Sequence, residues 1–229
     1  MAKRKIVFVI VEGPSDEEAL GVLLSKICDE DSVYVHIMHG DITTQNGVTQ
    51  NNIVSKVGNC VKQYAVQNHY KPADFKEIIH IVDMDGAYVP DSAVVEDLEA
   101  KKPVYYVTEI RSANPKGIID RNARKRKNID RLKATGQIWN LPYGIYYMSC
   151  NLDHVLYGKL NSADEEKEED AYAFAKKYKD DIPGFLKYMK ESDFSVGPDY
   201  KESWRYITEG RHSLERHTNF CVCLDKLKK

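Results

Sequence analysis

KIVFVIVEGPSDEEAL, residues 5–20, joins an apolar run to an acidic turn. Residues 6–11 are apolar without interruption, which is typical of a strand covered on both faces of a parallel sheet. Glu12 follows this run at once, and Gly13 and Pro14 then lead into a predicted helix. Open α/β folds bind ligands at the carboxyl edge of the sheet, so we expect Glu12 to lie at a functional edge.

The rest of the chain continues this alternation of strand and helix. Ser15 and Glu18 have the spacing of a capping box, with Ser15 as the N-cap of the first helix. Apolar periodicity predicts strands at 6–11, 32–38, 76–86 and 143–150, and helices at 14–30 and 53–70. This order predicts an α/β fold with flanking helices and a mostly parallel, four-stranded core sheet that is Rossmann-like.

The 229 residues carry a formal net charge of −2, but the charge is unevenly distributed. Residues 101–135 contain eleven Lys and Arg against three acids, whereas residues 163–172 are strongly acidic. We predict a catalytic core over 1–160 with a basic insertion at about 101–140, and a helical C-terminal extension over 161–229 packed on that core. The basic block indicates a polyanionic partner, with a solvated helix of mixed charge as the alternative.

Several classes of protein are disfavoured. The five cysteines form no CxxC pair, so neither a disulfide framework nor a zinc site is implied. The first residues lack the apolar region of a secretory signal, and no segment approaches the roughly 18 apolar residues of a membrane span. We therefore expect a cytoplasmic protein that does not enter the membrane.

Acidic residues follow three of the predicted strands. Glu12 follows the first, Asp83 and Asp85 follow the third, and Asp153 comes shortly after the fourth. Carboxylates that converge at one sheet edge repel each other unless a cation lies among them. Mg²⁺ and Mn²⁺ prefer such hard oxygen ligands, so one or two of these ions are the expected cofactor. Asp16, at the start of the first helix, is within reach of the same place.

Most of these acids also have an ordinary structural explanation. Asp16 suits the positive end of a helix dipole. Asp85 with Gly86 is a common turn signal, and Asp153 has the position of a helix cap. Glu12 has no comparable explanation, which is why two apolar strands that both end in acids form the most specific signal in the chain.

The segments IVFVIVEGPSDEEAL (6–20) and IIHIVDMDG (78–86) resemble the two halves of the TOPRIM signature, a glutamate after the first strand and an aspartate pair after the third. The segments YMSCNLDHVLYG (147–158) and SWRYITEGRHSLERHTN (203–219) are similar to RloB-like and OLD-type TOPRIM nucleases. The family more often has a glutamate where Asp153 stands. The resemblance implies a metal-dependent nuclease in which Glu12, Asp83 and Asp85 are catalytic and hold the metal, with Asp16 and Asp153 as second-site ligands.

The resemblance also implies a biological setting and partners. RloB-like and OLD-type proteins act in bacterial anti-phage defence by abortive infection, so the chain is expected to be a toxic effector. It contains no phosphate-binding G-x-x-x-x-G-K-[ST] loop, so a separately encoded ATPase is the expected sensor. A homodimer is compatible with this expectation.

Basic residues are expected to contact the backbone of DNA or RNA, and the sequence leaves both substrates open. Arg124, Lys127 and Arg131 share one face of a predicted helix over 120–135, because they stand at i, i+3 and i+7. Contacts of this kind give salt-dependent binding with little sequence specificity. The predicted nucleic-acid contacts are Arg111, Arg124, Lys127, Arg131, Arg211 and Arg216. For Arg211 and Arg216 the alternative is pairing with the acidic segment.

Two rival functions remain open at this point. The IVDMDG segment also resembles the loop of haloacid-dehalogenase-type phosphatases, in which Asp83 would be the nucleophile. That loop normally follows the first strand, and this assignment leaves Glu12 unexplained. The second rival is a TOPRIM module that binds nucleic acid or a partner protein without catalysis.

Overall fold

The structure is a computed structural model that describes residues 4–28 and 33–228. Residues 29–32, where the first predicted helix ends and the second predicted strand begins, lie outside the described residues. The strands are β1 (Lys5–Val11), β2 (Val33–His39), β3 (Phe75–Asp83), β4 (Val94–Glu96), β5 (Val104–Tyr105), β6 (Ile110–Ser112), β7 (Gln137–Ile138) and β8 (Leu141–Met148). The helices are α1 (Pro14–Ile27), α2 (Ile53–Gln67), α3 (Pro115–Lys133), α4 (Leu152–Tyr157), α5 (Asp164–Tyr178), α6 (Ile182–Glu191), α7 (Tyr200–Ile207) and α8 (Phe220–Leu227).

The main sheet has the strand order β2-β1-β3-β8-β7. β1 pairs in parallel with β2 and β3, and β3 pairs in parallel with β8. The predicted α/β class and the four parallel strands are therefore confirmed. The fifth strand, β7, is antiparallel to β8 and was not predicted. Trp139 and Asn140 connect the two strands with positive φ angles of 54° and 61°, the conformation of a tight hairpin turn, although their sequence is not a typical signal for it.

The alternation of side chains along β1 explains its uninterrupted apolar sequence. Val7, Val9 and Val11 belong to a hydrophobic cluster with helices α1, α5, α6 and α8 on one face of the sheet. Phe8 and Ile10 belong to a second cluster with α2, α3 and α7 on the other face. Both faces are covered, and helices of the C-terminal part contribute to both clusters.

The first helix begins at Pro14, as the predicted range has it, but its N-cap is not the predicted residue. Gly13 is the N-cap of α1, and Asp16 accepts hydrogen bonds from the backbone N–H groups of Gly13 (2.9 Å) and Glu12 (3.1 Å). The prediction of Ser15 as N-cap was wrong, because Pro14 has a preset φ and needs no N–H partner at the first helical position. The turn thereby fixes Asp16 next to the end of β1.

The basic region folds as a small sheet followed by one long helix. Strands β4, β6 and β5 form a separate three-stranded sheet. Helix α3 begins at Pro115, five residues before the predicted start, and the side chain of Asn114 caps it by accepting a hydrogen bond from Gly117 N at 3.0 Å.

Every helix within residues 4–28 and 33–228 is too short or too polar to cross a bilayer.

Candidate active site

Four of the predicted site residues come together at the carboxyl edge of the main sheet. Glu12 follows β1, Asp83 ends β3, and the two strands are neighbours. Burial raises the pKa values of Glu12 and Asp83 well above their ordinary values, and the charges of Asp16 and Asp85 raise both further. Glu12, Asp16, Asp83 and Asp85 therefore form one acidic cluster in which negative charge is in excess.

Lys125 of α3 is the cation of this cluster. Its side chain is 0% exposed, and its Nζ donates to Asp85 Oδ2 at 2.5 Å and lies 3.3 Å from Glu12 Oε1. Burial lowers the pKa of Lys125, but the carboxylates around it, above all Asp85 and Glu12, outweigh burial and raise it above its ordinary value. Lys125 is charged, and its contacts join α3 to the ends of both β1 and β3.

Sequence reasoning missed Lys125 because it stands in a run of four basic residues, 124–127. Charge alone does not distinguish the members of such a run. The buried positions of α3 distinguish Lys125 from its neighbours. Asn122, Lys125, Asn128 and Leu132 recur at helical spacing and face inward. The signal was present in the pattern of small polar and apolar residues around Lys125.

A fifth acid, Asp41, lies in the loop after β2. It accepts hydrogen bonds from Thr43 Oγ1 at 2.9 Å and from Thr44 N at 3.0 Å, and also from the Thr44 hydroxyl group. Burial raises the pKa of Asp41, but the charge of Lys125 and these hydrogen bonds outweigh burial and lower it. Asp41 is thus an ionised carboxylate near Lys125. A polar loop has no periodicity from which this position could be predicted.

The backbone at Asp85 is in an unusual conformation. Its φ is 47°, a left-handed value that is uncommon for a residue other than glycine and is found preferentially at functional sites. The backbone N–H of Asp85 donates to Cys150 O at 2.8 Å, and Arg121 Nη2 donates to Asp85 O at 2.8 Å. Gly86 follows with φ 66°, and a Cβ there would lie 2.7 Å from Leu214. These contacts hold Asp85 against the end of β3.

The segment before α8 supports the same turn. Ser213 O accepts hydrogen bonds from Gly86 N (3.2 Å) and Cys150 N (2.9 Å), and Ser213 Oγ accepts one from Tyr88 N (3.2 Å). The C-terminal part of the chain therefore positions the loops that follow both β3 and β8. No sequence pattern around Ser213 indicated this role.

Asp153 lies at the periphery of the cluster. Asn151, not Asp153, caps α4, because its side chain accepts from His154 N at 2.9 Å. Asp153 is buried, its Oδ1 has no hydrogen-bond partner among the described residues, and its Oδ2 is 3.8 Å from Lys167 Nζ. Burial raises the pKa of Asp153. The charge of Asp153 in turn raises the pKa of Asp16, so these two acids lie near each other.

The donor chemistry of the cluster fits Mg²⁺ or Mn²⁺. Asp83 Oδ1 accepts from Leu152 N at 3.1 Å, but Glu12 Oε2, Asp83 Oδ2 and Asp85 Oδ1 accept no hydrogen bond from the described residues. These are hard oxygen donors with surplus negative charge. Within residues 4–28 and 33–228, no group of three His, Cys, Asp or Glu side chains is already arranged to hold a metal ion. The positive charge at the site comes from Lys125.

Comparisons of the chain with protein-family models, curated proteins and solved structures found no match.

The predicted nucleic-acid contacts differ in how they are engaged. Lys127, Arg131 and Arg211 are exposed. Arg111 pairs with Glu109 at 2.6 Å on the small sheet. These residues remain available for contacts with a ligand, and their predicted role stays a prediction.

The two other predicted contacts donate to backbone carbonyl groups of the protein. Arg124 Nη2 lies 3.2 Å from Thr44 O, next to the loop that carries Asp41. Arg216 donates to Val155 O at 2.9 and 2.7 Å and lies over the ring of Phe194. Packing at the end of α4 therefore accounts for Arg216 without a ligand.

Proposed function

We propose that this chain is a metal-dependent nuclease with a TOPRIM-like site that hydrolyses phosphodiester bonds in DNA or RNA. The observation that carries the proposal is the convergence of Glu12, Asp83 and Asp85 at the carboxyl edge of a parallel sheet, with raised pKa values for Glu12 and Asp83. Buried carboxylates without enough positive charge are typical of sites that bind a cation. The order of these acids along the chain supports the TOPRIM assignment over other α/β folds.

Each acid has a proposed role. Glu12, Asp83 and Asp85 would hold Mg²⁺ or Mn²⁺, and Asp16 and Asp153 would serve a second ion. A bound ion of this type activates water and stabilises the leaving oxygen of a phosphodiester. Burial raises the pKa of Glu12 above its ordinary value, which makes its carboxylate a stronger base toward the attacking water.

The exposed basic residues supply the surface for nucleic acid. Lys127 and Arg131 project from α3, the helix that also carries Lys125 into the site. A phosphate backbone lying along α3 would therefore pass near the acidic cluster. Binding would depend on salt and little on base sequence. We propose, from the TOPRIM resemblance, a role as a toxic effector in anti-phage defence with a separate ATPase as sensor.

The proposal is tested by incubating the protein with plasmid, single-stranded DNA and total RNA in Mg²⁺, Mn²⁺ or EDTA. We expect cleavage of at least one nucleic acid in a divalent ion and none in EDTA. A small phosphomonoester is included in parallel. Its hydrolysis without cleavage of any nucleic acid would favour the phosphatase assignment of Asp83 and overturn the proposal.

A further inference from the structure

The contacts of Lys125 occupy the side chains that are proposed to hold the metal. Its ammonium group lies 2.5 Å from Asp85 Oδ2 and 3.3 Å from Glu12 Oε1, and its side chain is 0% exposed. A Mg²⁺ ion binds carboxylate oxygens at about 2.0–2.1 Å. An ion on these two oxygens would share them with a second cation at hydrogen-bond distance. An ion on Glu12 Oε2 and Asp85 Oδ1 would still lie close to the ammonium group, and two positive charges repel strongly in a buried site.

Helix α3 does not shift easily to relieve this conflict. Asn122 Nδ2 donates to Gly86 O at 3.3 Å and Asn128 Nδ2 donates to Thr43 O at 2.8 Å, one turn before and one turn after Lys125. Both amides are buried. The register of the helix is fixed on both sides, so only the flexible side chain of Lys125 is free to move out of the way.

We infer that Lys125 is the resident cation of the site and that a divalent ion binds the carboxylates of Glu12 and Asp85 in competition with its ammonium group. This inference rests on the proposed metal-dependent function and adds its regulation: Lys125 sets the affinity for metal. Without metal, Glu12 and Asp85 stay paired with Lys125, and metal binding carries the cost of weakening these contacts.

The test is a calorimetric titration of Mn²⁺ into the wild type, Lys125→Met and Lys167→Met without nucleic acid. Lys167 is the matched control, because its ammonium group also faces the acidic region but lies 3.8 Å from Asp153 rather than on Glu12 or Asp85. At the site of Glu12, Asp83 and Asp85, Lys125→Met is expected to bind Mn²⁺ about tenfold tighter or more. Lys167→Met, which removes a charge beside the proposed second-ion ligand Asp153, is expected to change the affinity of that first site by about threefold or less. Lys125→Gln, which keeps a polar side chain without charge, replaces the Met variant if that variant does not fold.

Three results would overturn the inference: unchanged or weaker binding in the Lys125 variant, an equal gain in Lys167→Met, or no Mn²⁺ binding in any of the proteins. An equal gain would mean that any nearby positive charge acts through space. Cleavage of nucleic acid with unchanged Mn²⁺ affinity would contradict the inference alone. Tighter Mn²⁺ binding without cleavage of any nucleic acid would contradict the proposed function alone.

Discussion

Asp16 combines a structural and an electrostatic role at the level of a single residue. Its Oδ2 accepts hydrogen bonds from Gly13 N and Glu12 N and so fixes the turn that presents Glu12. Burial raises its pKa to about 6, the charge of Asp153 adds to this, and the two hydrogen bonds oppose it. The backbone hydrogen bonds therefore hold Asp16 in place, while its burial gives the ionised carboxylate a cost in free energy.

This cost predicts a pH dependence of stability. The pKa of Asp16 is about 6 in the folded state, against an ordinary value of 3.8, so the folded state binds more protons than the unfolded state between these values. The contribution of Asp16 to the free energy of unfolding is therefore largest below about pH 4 and falls as the pH rises to 6. Asp16→Asn keeps an acceptor oxygen but does not titrate.

We expect the free energy of unfolding of Asp16→Asn, relative to wild type, to rise between pH 4 and about pH 7 by up to ~3 kcal/mol. Urea denaturation at a series of pH values measures this difference. A difference that stays constant with pH would show that burial does not raise the pKa of Asp16.

Single residues of the site were predictable where the sequence confines them. Glu12 and Asp83 follow apolar runs that only a covered strand explains. The sequence pattern therefore predicted that both acids lie at the carboxyl edge of the parallel sheet. Lys125 and Asp41 were missed for a physical reason. A lysine in a basic run and an aspartate in a polar loop acquire their roles only from the direction in which the folded backbone points them.

Helix α3 has two faces with different tasks. The inward face carries Lys125 between two buried asparagines, while Lys127 and Arg131 point to solvent. Arg124 was expected to act with these two, but its Nη2 lies 3.2 Å from Thr44 O and is partly used inside the protein. The outward pair is therefore the part of α3 that is best placed to contact phosphate groups.

Changing Lys127 and Arg131 together to Gln is expected to weaken binding of nucleic acid about equally for all sequences. The slope of log affinity against log salt should become shallower by roughly 0.7–0.9 per lost contact, because fewer counterions are released. Fluorescence anisotropy with labelled single-stranded and double-stranded oligonucleotides measures both quantities.

The control for this experiment is the pair Lys176→Gln and Lys179→Gln, which are exposed residues in and just after α5. Helix α5 packs on the other face of the sheet from α3. An equal loss of affinity in both double variants would mean that net charge, rather than the surface of α3, governs binding.

At the scale of the whole molecule, the C-terminal part is integrated with the parallel sheet. Asn219 Oδ1 accepts a hydrogen bond from Tyr147 N at 2.9 Å in β8, and Asn219 Nδ2 donates to Ser203 Oγ at 3.1 Å in α7. Ser213 holds the loops beside the acids. The predicted extension over 161–229 therefore completes the core and the site, which a linear pattern of helices did not indicate.

Asn219→Ala is expected to lower the free energy of unfolding by about 1–3 kcal/mol, because it leaves the buried N–H of Tyr147 without a partner. Asn51→Ala, at an exposed loop position, is the matched control and should change stability by no more than about 0.5 kcal/mol. Urea denaturation compares the two variants. Equal stability of both would contradict the structural role of the C-terminal segment.

The parallel core was predictable because alternation of apolar strands with amphipathic helices has few other solutions. The antiparallel β7 was not predictable, because Trp139 and Asn140 adopt positive φ angles in its turn without a glycine. The early start of α3 was not predictable either, because its cap, Asn114, lies six residues before the predicted helix. Contacts distant in sequence, such as that of Lys125 with Glu12, depend on how these elements meet.

The most direct measurement of the central claim is cleavage of nucleic acid in Mn²⁺ by Glu12→Gln and by Glu18→Gln. Both variants carry the same substitution, but Glu18 is exposed on α1 whereas Glu12 is in the acidic cluster. We predict that Glu12→Gln loses about a hundredfold or more of the cleavage rate while remaining folded, and that Glu18→Gln keeps the wild-type rate. Full activity of folded Glu12→Gln, or equal loss in both variants, would contradict the assignment of the acidic cluster as the catalytic site.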